Sequence, residues 1–99
     1  MRDITIETMH HFRQCKKFKK SNTRIEVTEN LVGLYLFDNL IALKDRETNE
    51  IKFTLAGWNS VTTRERLQAI GVQISSKQWT PYYNGKAINT NEWYQVEVA

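Results

Sequence analysis

Cysteine is nearly absent from this chain: Cys15 stands alone among ninety-nine residues, so no internal disulfide can form. A reducing compartment fits that usage. Long apolar runs are missing too. No stretch approaches the roughly eighteen apolar residues that a membrane-spanning helix needs. The first residues, Met1-Arg2-Asp3-Ile4-Thr5-Ile6-Glu7, lack the apolar core of a secretion signal. Glycine is sparse, and Gly33 and Gly85 are isolated and open no helix, which excludes a glycine-rich phosphate cradle. Histidine is limited to the adjacent pair His10 and His11, which would point about 100° apart on a helix. With Cys15 they make no metal site, because no second ligand cluster follows. The carboxylates Asp38, Asp45, Glu47 and Glu50 fall in or beside turns, and none is paired for acid–base work. No cofactor is expected. Repeats, linkers and low-complexity tracts are likewise missing.

What remains is the composition of an ordinary globular protein, 40% apolar and 25% charged, long enough to bury a real core. The net charge of +3 hides an asymmetry. Residues 1–24 carry seven basic residues against Asp3 and Glu7, and the rest of the chain is slightly acidic. A concentrated basic segment on a near-neutral body points to an anionic partner, and it argues against mimicry of DNA.

The pattern predicts an α+β domain with a mainly antiparallel β-sheet of about six strands, an N-terminal helix, and one short capped helix over residues 62–70. Ile4, Ile6, Met9, Phe12, Cys15 and Phe18 recur near helical period, giving a helix from about Thr5 to Lys17 that Ser21-Asn22 ends. Thr23–Thr28 alternates as a strand with one face buried. Leu31–Phe37 and Leu40–Lys44 read as a hairpin closed by Asp38-Asn39, and Glu50–Leu55 alternates again. The chain then turns a corner at Ala56-Gly57-Trp58. Thr62 and Glu65 have the spacing of a capping box, Leu67 and Ile70 share a face for the sheet, and Gly71 closes the helix. Val72–Ser75 is a strand, and Lys77–Tyr83 continues extended, with Pro81 at an edge or bulge. Asn84-Gly85 is a strong hairpin signal, and Trp93–Val98 is the last strand. One domain is expected over residues 1–99, with a basic N-terminal helical segment over 1–22 and a sheet with an inserted helix over 23–99.

Gly57-Trp58 followed by Thr62-Thr63-Arg64-x-Arg66-Leu67 resembles a family of short proteins encoded by tailed bacteriophages. Phe18 through Asn22-Thr23, the Leu34-Tyr35-Leu36 to Asn39-Leu40-Ile41-Ala42 hairpin, Tyr83-Asn84-Gly85-Lys86, and Trp93 are similar too. The resemblance spans about residues 12–96. It departs at Ser21, where members often carry glycine, and at Thr80-Pro81-Tyr82 after Trp79. The resemblance implies a phage origin and a small accessory role, and it supplies no activity to carry over.

Three constellations carry chemistry. His11 and Cys15, four apart on a helix, place a base near a thiol, but no third group stands at a telling spacing, and Cys15 also continues the apolar stripe. Thr62, Thr63, Arg64 and Arg66 at a helix N-terminus suit a phosphate, whereas capping alone accounts for Thr62 and Glu65 and leaves the arginines solvated. The best functional lead is the basic run. Arg13, Lys16, Lys17, Lys19, Lys20 and Arg24, with Arg64 and Arg66, are the candidate nucleic-acid-binding residues, since lysines at this density hold a phosphate backbone without reading bases. Tyr35, Phe37, Trp79, Tyr82 and Tyr83 offer stacking platforms if they face outward, and Trp58 and Trp93 are assigned to the core. The plain alternative is a solvated helix end over an aromatic core.

The leading expectation is a non-enzymatic phage accessory protein in the host cytoplasm that binds DNA or RNA through its basic N-terminal segment. Its rival is a phage inhibitor that binds a host protein, such as a component of antiviral defence. An enzyme using Cys15 ranks third.

Overall fold

The computed structural model describes residues 3–97; Arg2, counted in the basic segment, and Val98, assigned to the last strand, lie outside them. Helix α1 (Asp3–Arg13) leads into a run of antiparallel strands: β1 (Phe18–Lys20), β2 (Thr23–Val27), β3 (Leu31–Leu36), β4 (Asn39–Asp45) and β5 (Ile51–Phe53). Helix α2 (Val61–Ala69) follows, then β6 (Ile74–Lys77), β7 (Thr80–Tyr83), β8 (Lys86–Ala87) and β9 (Tyr94–Gln95). The main sheet has six strands in the order β1-β2-β3-β4-β5-β9, and β6-β7-β8 form a separate three-stranded meander. The expected α+β class and sheet size are present, and the second sheet is an addition.

The alternation read from the sequence sets the inner face of the sheet. Ile25 on β2, Val32, Leu34 and Leu36 on β3, and Ile41 on β4 are buried. Leu67 and Ile70 close over them as expected, joined by Phe53, Leu55, Val72 and Tyr83 in one continuous core. A register shift between Leu34 and Tyr35 leaves Ile41 unpaired, so a β-bulge lets Ile41 and Ala42 both turn inward.

Helix α1 ends four residues earlier than expected. Cys15 takes a left-handed conformation (φ 55°), and Phe18 starts an edge strand in register with Ile25. A residue that continues a helical stripe can equally pack from a strand, and Phe18 does so, half-buried against the core and stacked on His11 at 4.6 Å. The buried face of α1 is Thr5, Thr8 and Phe12, while Ile6 is exposed. Ser21-Asn22 is therefore a hairpin turn, with Ser21 at φ 54° where glycine would be comfortable. The carbonyl end of α1 is capped from a distant strand: the buried Lys44 ammonium on β4 donates to Phe12 O at 2.8 Å and approaches Arg13 O at 3.4 Å. An ammonium there satisfies orphan carbonyls and faces the negative end of the helix dipole.

The short helix starts one position before the expected capping residue. Ser60, in extended conformation, accepts from the amide of Thr63 at 3.1 Å, so Ser60 is the N-cap and no Thr62–Glu65 box forms. The C-terminal end is as expected. Gly71 (φ 97°) donates to Gln68 O, and Val72 donates to Leu67 O, which together make a Schellman motif.

Candidate nucleic-acid interface

The basic run does not lie on a helix end. Arg13 and Lys16 sit where α1 gives way to coil, Lys17 precedes β1, and Lys19 and Lys20 lie on that edge strand. Tertiary structure then divides the cations into two groups. Lys20 Nζ donates to Glu7 Oε1 at 2.6 Å, and that hydrogen bond, followed by the charge of the carboxylate, raises the lysine above its ordinary pKa. Lys17 lies 3.6 Å from Glu26. Arg24 bridges Glu26 at 3.2 Å and Asp38, and its guanidinium lies 4.2 Å over the ring of Tyr35. Arg13, Lys16 and Lys19 are exposed and, among the described residues, have no acidic partner.

The two arginines of α2 part company. Arg64 is half-buried and donates to Asn59 Oδ1, which steadies the corner before the helix. Arg66 is only 1% exposed. Its Nε donates to Thr23 Oγ1 at 3.0 Å and its Nη1 to Thr5 Oγ1 at 2.8 Å, with Glu65 Oε1 3.4 Å away. Arg66 is thus neither solvated nor available to a phosphate backbone. It joins α1, α2 and β2 from the inside, and it explains the buried Thr5 of α1, while the Thr8 hydroxyl donates to Ile4 O one turn back. The nearest signal in the sequence was the pair Thr5 and Thr8, three apart like a buried helix face, which an apolar count passes over.

The His11–Cys15 pair is also spoken for. His11 Nδ1 lies 2.7 Å from Glu7 O and donates to it, and Cys15 is half-buried against the core. Among the described residues, no three His, Cys, Asp or Glu side chains gather to hold a metal, and no helix is long and apolar enough to cross a membrane.

The aromatic residues divide differently from expectation. Tyr83 is buried, and Tyr35 and Tyr82 are half-buried. Phe37 and Trp79 face outward at 66% and 92% exposure. Trp58, expected in the core, is 68% exposed, and Trp93 is exposed as well. The reason at Trp58 is the corner: Ala56 (φ 52°) and Gly57 (φ 85°) are both left-handed, and the inward position there goes to Leu55. Phe37 and Trp58 stand at a cavity of about 410 Å³ whose floor includes Leu36, Ile41 and Leu55.

No curated protein and no solved structure matches this chain. A family model described as Kyanoviridae Gp96 protein matches residues 1–99. The match spans the whole sequence given, and the chain belongs to this family of phage proteins.

Proposed function

We propose that this phage protein is a non-enzymatic accessory protein that binds DNA or RNA in the cytoplasm of the infected host. The observation that supports it is that Arg13, Lys16 and Lys19, running from the end of α1 into the edge strand β1, are exposed and without acidic partners among the described residues. Lys17, Lys20 and Arg24 flank them with charges already partly offset by Glu26, Glu7 and Asp38. Phosphate contacts of this kind release counterions, so affinity falls as salt rises. In oligonucleotide titrations at several salt concentrations, replacing Arg13, Lys16 and Lys19 by glutamine should flatten the log–log slope by about two to three units. Replacing Lys17 and Lys20 should flatten it less. Equal slopes for the wild type and the triple variant would remove these residues from the interface.

A second reading has its own support. Trp58, Val61 and Trp79 are exposed around Asn59, and tryptophan is enriched at the energetic centre of protein interfaces. A host protein gripped by that face is the function this reading implies.

A further inference from the structure

We infer that Phe37, Trp58 and Trp79 form a stacking track for the bases of a single-stranded nucleic acid, an inference that rests on the nucleic-acid reading above. Three depressions run into one another on this side of the molecule. The first, about 300 Å³, is lined by Lys19, Asn22, Arg24 and Phe37. Phe37 also lines the 410 Å³ cavity beside Trp58. That cavity shares Ser60 with a third depression of about 530 Å³, lined by Asn59, Arg64, Gln78 and Trp79. Asn59 fastens the two halves together. Its Nδ2 donates to Ser76 Oγ and to Trp79 O, each at 3.0 Å, so the corner that carries Trp58 is tied to the hairpin that carries Trp79.

The chemistry along the track suits one class of ligand. Cations stand beside the rings at both ends: Lys19 and Arg24 next to Phe37, Arg64 next to Trp79, and Lys77 just before the Trp79 turn. Among the described residues, no carboxylate lines the two depressions that hold Trp58 and Trp79, and Asp38 at the far end is paired with Arg24. Side-chain amides line the same depressions, Asn39 with Phe37 and Trp58, and Gln78 with Trp79. Separated rings, accompanying amides and basic flanks match a strand of bases and phosphates, since stacking on aromatic side chains is tolerant of sequence. A paired duplex keeps its base faces covered and would gain nothing from the rings.

The backbone supplies an independent argument. Phe37 (φ 50°) and Trp79 (φ 69°) each occupy a two-residue hairpin tip, in left-handed positions that normally go to asparagine or glycine. For a bulky residue such a φ is an outlier, and strain held on exposed rings points to use of those rings.

The test compares single-stranded oligo-dT with a mixed-sequence duplex at low salt, read by anisotropy and by tryptophan emission. The wild type should bind oligo-dT more tightly than duplex, with emission quenched. Trp58→Ala and Trp79→Ala should each weaken oligo-dT binding by about tenfold or more while leaving the salt slope and duplex binding unchanged. Trp79→Gly, which relaxes the turn, should lose the same affinity while raising the melting midpoint, so weak binding cannot be laid to misfolding. Equal affinity for strand and duplex, indifferent to both alanine variants, would overturn the track and leave the cation reading standing. Binding of neither nucleic acid would overturn both, and the same face would then pass to a protein partner.

Discussion

Two rings at hairpin tips and one arginine in the interior set the terms at the scale of single residues. Phe37 and Trp79 hold left-handed conformations on the surface. Trp79→Gly should therefore stabilise the fold by roughly 0.5–1 kcal/mol, the relieved strain less the entropy that glycine adds to the unfolded chain. A urea melt measures it. Arg66 makes the opposite case. Its guanidinium is enclosed by Thr5, Thr23 and Glu65, so Arg66→Met leaves polar groups without their donor and should cost roughly 3–5 kcal/mol. Glu65→Gln keeps an acceptor in place and should cost clearly less in the same melt. Lys20 shows how little pH matters at this edge. Its pKa is raised by Glu7, so its contribution is present throughout the range below lysine's ordinary value and is lost only as pH climbs through the raised value. Neutral-range pH changes should leave the Lys20–Glu7 pair intact, which a Lys20→Met melt at mildly acid and mildly alkaline pH would check.

At the scale of elements, the ends decide what could be read in advance. Gly71 was legible because a glycine after Leu67 and Ile70 has one common use at a helix end. Asn84-Gly85 was legible for a similar reason, and both residues adopt the left-handed turn. The N-cap was not. Ser60, Thr62 and Thr63 all stand near the helix start, and Ser60 takes the cap while the Glu65 carboxylate turns to Thr5 of α1 and to its own neighbour Arg66. Ser60→Ala should therefore cost about 1 kcal/mol, while Thr62→Ala should stay within about 0.5 kcal/mol. The β3–β4 turn slipped by one residue for a comparable reason. Asp38-Asn39 carries the usual turn residues, yet Leu36 pairs with Asn39 and the tip is Phe37-Asp38. An aromatic at a left-handed tip defeats any rule built on turn preference. Leu67 behaved as its spacing implied, and Leu67→Ala should cost roughly 2–5 kcal/mol as a fully buried side chain.

Across the whole molecule, the basic segment was visible in the sequence, but its effective charge was not. Glu7, Glu26 and Asp38 come to Lys20, Lys17 and Arg24 only through the packing of α1, β2 and the β3–β4 turn. Within the basic segment, among the described residues, that packing leaves Arg13, Lys16 and Lys19 without an acidic partner, and it takes Arg66 of α2 inside. Trp58 was misplaced because a well-patterned neighbourhood does not reveal a corner whose left-handed residues reverse inside and outside. The resulting surface has cations along the β1 edge, which leads past Phe37 to Trp58 and Trp79, with β9 on the far edge of the sheet. Heteronuclear NMR of labelled protein titrated with unlabelled oligo-dT tests this arrangement most directly. Shifts are expected at the amides of Lys16 and Lys19 and at the indole N–H groups of Trp58 and Trp79, with Lys52 on β5 and Gln95 on β9 silent. Shifts confined to β5 and β9, or none at low salt, would contradict it.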